Sequence, residues 1–101
     1  MTSYQDLVDK VQDPQLLRGV TSVAVEVDGV ANAHRARSRR YGHMMYLDLD
    51  IEVDPGMSVL DAHRIAHEVQ DKILQKFMSI TEVMIHIEPE GDHLTGESCD
   101  D

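Results

Sequence analysis

The chain has 101 residues, 42% hydrophobic and 28% charged, with 9 basic side chains against 19 acidic ones and a net charge of −10. That length supports one modest core, burying roughly 60–65% of the unfolded surface, and leaves no room for a large active site with its own lid. The acidic balance argues against nucleic acid and anionic membrane as partners, and no run nears the roughly 20 apolar residues needed for direct membrane insertion.

The single cysteine, Cys99, excludes an internal disulfide framework. It fits a reducing, cytoplasmic compartment. Six acids lie in the last fourteen residues, which hold no base. Six histidines among so many carboxylates point toward divalent cations.

Residues 1–13 are short, polar and weakly patterned. They read as a lead-in or a frayed helical turn. Pro14 suits the first position of a helix, with Asp13 before it as cap. Leu16, Leu17, Val20, Val23, Ala24 and Val27 then form one helical stripe. Asp28-Gly29 stops it. Residues 30–40 alternate as a polar strand. Asn32, His34, Ala36 and Ser38 are expected on one face, Ala33, Arg35, Arg37 and Arg39 on the other.

After the turn Tyr41-Gly42-His43, Met45, Leu47, Leu49, Ile51 and Val53 alternate with Tyr46, Asp48, Asp50, Glu52 and Asp54. This predicts a strand with one buried and one acidic face. Ser58 reads as an N-cap, with Asp61 in a capping-box variant. Ala62, Ile65, Ala66, Val69, Ile73, Phe77 and Met78 extend a second helix to about residue 78. Val83, Ile85 and Ile87 alternate with Glu82, Met84, His86 and Glu88 in a last strand, closed by Pro89. Residues 89–101 are expected to be a disordered acidic tail.

The order is helix, strand, strand, helix, strand. Two helices cover one face of a three-stranded sheet, which gives an α+β, two-layer, ferredoxin-like sandwich. The other face stays open and carries Asp48, Asp50, Glu52, His86 and Glu88. A second copy is expected to pack near it.

Several residues have metal-ligand chemistry. Asp50 and Glu52 are two apart on one strand, and His86 and Glu88 two apart on another, so both pairs point outward. Imidazole and carboxylate are accepted ligands of zinc; the alternative is a solvated acidic face. His63 and His67 share a helical face by i, i+4 spacing, without the glutamate of a zinc protease motif. The alternative is two surface histidines. The arginines at 35, 37, 39 and 40 have phosphate-binding chemistry, but without a Gly-rich loop or interleaved aromatics they are read as a solvated face, or as partners of the acidic strand or tail. His93 and Cys99, with Asp92, Asp100 and Asp101, are further donors in the tail. Nothing supports an enzyme: there is no nucleophile elbow, phosphate loop or zincin motif.

The runs NAHRARSRR, YLDLDIEVDPGMSVLDAHRIAHEV and VMIHIEPE together resemble the C-terminal cytosolic domain of the cation diffusion facilitator transporters. The resemblance covers residues 6–90 and includes the lead-in DLVDKVQDPQLL. It implies an αββαβ, metallochaperone-like fold and a V-shaped homodimer that divalent cations close. It implies metal ligands at His34, Asp50, His63, His86 and Glu88, with His67 as a further candidate. Asp50 stands where zinc-transporting members have His, and Glu88 where they have Asp. Zinc is the first expectation; Mn²⁺ or Fe²⁺ are alternatives because the set is richer in oxygen, and Cd²⁺ is a further divalent alternative.

By this reading residues 14–88 form a metal-binding dimerisation domain. It regulates cation efflux from the cytoplasmic side, as part of or partner to a transmembrane transporter domain. It is either a domain of such a transporter or a stand-alone metal-sensing protein without transport activity. A dimerisation module indifferent to metal is the remaining alternative.

Overall fold

The computed structural model describes the backbone of residues 9–11 and residues 13–91 in full. The elements in chain order are β1 (Asp9–Val11), α1 (Pro14–Val25), β2 (Asn32–Tyr41), β3 (Met44–Val53), α2 (Val59–Lys76) and β4 (Glu82–Pro89). They form a sheet in the order β1-β2-β3-β4. β1 and β3 both run antiparallel to β2, and β4 runs parallel to β3. The expected α+β sandwich and its three strands are present. The lead-in differs from expectation: residues 9–11 pair with Ser38–Arg40 as a short edge strand, not a helical turn. The tail expected at its far end, with His93 and Cys99, lies outside the described residues beyond Gly91.

Local chemistry explains both helix starts. The Asp13 carboxylate accepts from the backbone N–H groups of Gln15 and Leu16, with Pro14 in the first turn. The Ser58 hydroxyl accepts from Asp61 N–H. These side chains satisfy donors that have no partner inside the helix. α2 ends earlier than its apolar pattern implies. Lys76 is its last residue and Phe77 is extended. Phe77 still reaches the core, with its ring so near Gly19 of α1 that an added Cβ there would meet it at 3.2 Å. Met78 points away and is 91% exposed, so it does not belong to the stripe.

Val20, Val23 and Ala24 of α1 and Ile65, Val69 and Ile73 of α2 are buried against Leu47, Leu49 and Ile51 of β3. Gln70 of α2 donates to the Val83 carbonyl of β4 at 2.6 Å, tying the layers together. β3, flanked on both sides, has the residues of its inner face almost fully buried. The parallel β3–β4 pairing sets the register of the outer face: Asp50 lies opposite His86 and Glu52 opposite Glu88.

β2 departs from strict alternation. His34 pairs with Asp50 but Arg37 with Asp48, so Arg35 and Ala36 together oppose Leu49. This is a β-bulge, which adds one residue to one strand and reverses the facing that follows. Arg35 takes a left-handed φ of +56°. Asn32 and His34 face outward with Ala33 inward, as the alternation implies. Beyond the bulge the faces exchange, with Ser38 buried inward and Arg37 and Arg39 outward beside Asp48.

Gly29, after α1, sits at φ +100°, and a Cβ there would fall 2.4 Å from Ile65 Cδ1. Gly29→Ala is therefore expected to destabilise the fold by about 1–3 kcal/mol. Leu49→Ala, in the middle of the core with 0% exposure, is expected to cost about 2–5 kcal/mol. Thermal melts followed by circular dichroism check both. A Gly29→Ala protein melting with the wild type would show that the turn relaxes without strain.

Candidate metal centre

β3 carries Asp50 and Glu52 on the outer sheet face, where no helix covers them, yet they are only 1% and 2% exposed. These two carboxylates are therefore not solvated. Long side chains from β2 and β4 lie over them. A carboxylate removed from water needs a cation or donors close by, and two separate sets of groups supply them.

Asp50 is held by arginine. Both Nε and Nη2 of Arg35 lie 2.6 Å from its Oδ2. Arg37 Nη2 stands 3.7 Å from its Oδ1. Arg37 and Arg39 approach Asp48 Oδ2 at 3.8 and 3.5 Å. The bulge makes this possible, since regular alternation would send Arg35 to the inner face. A left-handed backbone at a residue other than glycine costs about 1–2 kcal/mol. The Arg37 guanidinium partly offsets it by donating to the Arg35 carbonyl at 2.8 Å.

Glu52 is held by histidine. His34 Nε2 lies 3.0 Å from Glu52 Oε2 and 3.9 Å from Glu88 Oε1. His34, Glu52 and Glu88 each offer one ligand atom, and these atoms lie within 4.8 Å of one another. Ligands on a tetrahedral ion with bonds of about 2.0–2.1 Å sit about 3.3 Å apart, a spacing the two measured distances bracket. One imidazole nitrogen and two carboxylates form a donor set that fits Zn²⁺ and leaves a coordination position open. It also suits Mn²⁺ and Fe²⁺ through its oxygens.

The residues expected from the sequence are distributed as follows. His34 and Glu88 converge. Asp50 lies in the same cross-strand row, between His34 and His86, but its carboxylate is turned to the arginines. His86 is exposed on β4 beside it and outside the cluster. His63 and His67 are exposed on α2, in the helical layer, with their Nε2 atoms 3.1 Å apart and their rings edge to face. Glu52 is the residue that carrying over the resemblance misses. Alternation along β3 already places it on the acidic face, and its register opposite Glu88 is the signal that would have selected it.

Residues 12–90 match the family described as the cation efflux protein, cytoplasmic domain. Metal tolerance protein 2 of Oryza sativa subsp. japonica is 42% identical over 85 residues, which cover 84% of this chain and 22% of that protein. The manganese efflux system protein MneP of Bacillus subtilis (strain 168) is 32% identical over 87 residues, 86% of this chain and 29% of that one. Among solved structures, a MamM CTD variant in its nickel form superposes with a TM-score of 0.73 at 26% identity, over 77% of this chain and 99% of that one. A cadmium form of another variant gives 0.71 at 26% identity, over 75% and 95%. The chain spans less than a third of the length of the curated relatives it matches. With the family match running through both helices and from β2 to β4, this chain belongs to the cytoplasmic domains of the cation efflux proteins.

Proposed function

We propose that this chain is a divalent-cation-responsive dimerisation domain that regulates cation efflux. The cation sits on the outer sheet face at His34, Glu52 and Glu88. The observation that carries this reading is the convergence of one imidazole and two carboxylates on a face without a helical layer. Two protomers of charge −10 repel each other, and a shared or nearby cation offsets part of that repulsion. Metal binding then favours a closed, V-shaped homodimer on the cytoplasmic side of a transporter's membrane domain. His86 with Asp50, and the pair His63 and His67, are the further donors the family resemblance supplies beyond this cluster. The domain is read over residues 14–88, and it carries out no catalysis of its own.

Zinc is the first candidate for the resident cation. Manganese is the second, because two of the three donors are carboxylate oxygens. A relative named for manganese efflux is consistent with that choice.

Calorimetric titration of chelator-stripped protein with zinc is expected to show saturable binding. His34→Ala and Glu52→Gln are each expected to weaken it about tenfold or more, since each removes a ligand. At a hundredfold excess over Kd the bound ion stabilises the fold by about 2.7 kcal/mol, which raises Tm by about 10–20 °C for a domain of this size. Identical melting and scattering curves with and without metal would contradict the reading and favour a metal-independent dimerisation module.

Ligand imidazole must be unprotonated, so proton and metal compete for it. Zinc affinity is expected to fall as the pH is lowered from 8 to 5.5. Affinity flat across that range would mean that carboxylates alone hold the ion.

A further inference from the structure

We propose that Arg35 is a positioning residue that decides which carboxylates of the outer sheet face can ligate the cation: it withholds Asp50 and presents Glu88 to His34. The inference rests on the metal-site reading above and extends it to selectivity.

The geometry supports both halves. Arg35 Nη2 lies between two carboxylates, 2.6 Å from Asp50 Oδ2 and 3.4 Å from Glu88 Oε2. The other oxygen of Glu88, Oε1, is the one turned toward His34 Nε2. Arg35 thus holds one oxygen of Glu88 while the second faces the donor cluster. Groups that hold a ligand in this way commonly change metal affinity by about 10–100-fold when removed. Asp50 is treated differently. Arg35 takes one of its oxygens and Arg37 approaches the other.

This matters because register alone puts Asp50 directly between His34 and His86. Without the Arg35 guanidinium, Asp50 Oδ2 is released to join the set, with Arg37 remaining near Oδ1. Asp50 then joins a set in which Glu88 is held less firmly: the lost order lowers zinc affinity, while the added oxygen donor favours manganese relative to zinc. The β-bulge is the local feature that delivers Arg35 to this face. Lysine cannot substitute fully, because one ammonium does not reproduce the planar fork.

The test is titration of chelator-stripped wild type, Arg35→Gln and the double variant Arg35→Gln/Asp50→Asn with zinc and, separately, with manganese. Arg35→Gln is expected to lose about tenfold or more in zinc affinity and to narrow the zinc-to-manganese ratio. Adding Asp50→Asn is expected to restore the ratio without restoring zinc affinity. If Arg35→Gln does not fold by circular dichroism, Arg35→Lys serves, with the same direction and a smaller loss. Wild type that binds while the Arg35 variant keeps both constants within about twofold overturns the inference alone, whatever happens to Tm, and leaves Arg35 a structural ion pair. Higher zinc affinity in the variant also overturns it, because Arg35 would then only withhold Asp50 and would do nothing to present Glu88. Wild type that binds neither ion overturns this inference together with the reading beneath it.

Discussion

Asp50 and Glu52 are two carboxylates on an interior strand, almost without access to water. Burying charge in this way is unfavourable unless cations or donors converge on it. Much of the outer face is organised by that requirement. Arg35, Arg37 and Arg39 form a ladder over Asp50 and Asp48. His34 and Glu88 gather over Glu52. The bulge in β2 lets one strand serve both: His34 precedes it on the outer face, and the inserted residue brings Arg35 out beside it. Arginine answers one carboxylate with a fixed charge. Histidine answers the other with a group that can also bind a metal.

Most of the fold was legible because its elements follow simple periods. β3 alternates from Met45 to Glu52 with no exception, and its inner face packs as the alternation requires. Asp13 and Ser58 announce the helix starts through cap chemistry that depends on near neighbours only. What was not legible depends on tertiary context. Met78 continues a helical stripe on paper, but α2 has already ended at Lys76. Residues 9–11 have little pattern of their own and become a strand because the edge of β2 offers backbone partners. The bulge carries no sequence flag, since the left-handed position is taken by arginine rather than glycine.

The candidate site was half legible for the same reason. Counting by two along β3 and β4 puts the acids and His86 on one face, and that much is independent of any neighbour. Which of those groups meet depends on the register between strands and on where the arginines go. Resemblance to efflux domains selects Asp50. Local electrostatics turn Asp50 toward Arg35 and leave Glu52 beside His34. The resemblance thus names a position on the backbone, whereas the partners of its side chain are set by the charged groups around it: Arg35 and Arg37 at Asp50, His34 at Glu52.

The most direct measurement is a crystal structure of the zinc-loaded protein with anomalous data collected at the zinc edge. A single ion within about 2.0–2.2 Å of His34 Nε2 and of carboxylate oxygens of Glu52 and Glu88, with Asp50 still paired to Arg35, is the expected result. Zinc bound through Asp50 and His86 instead, with Arg35 displaced, would contradict it.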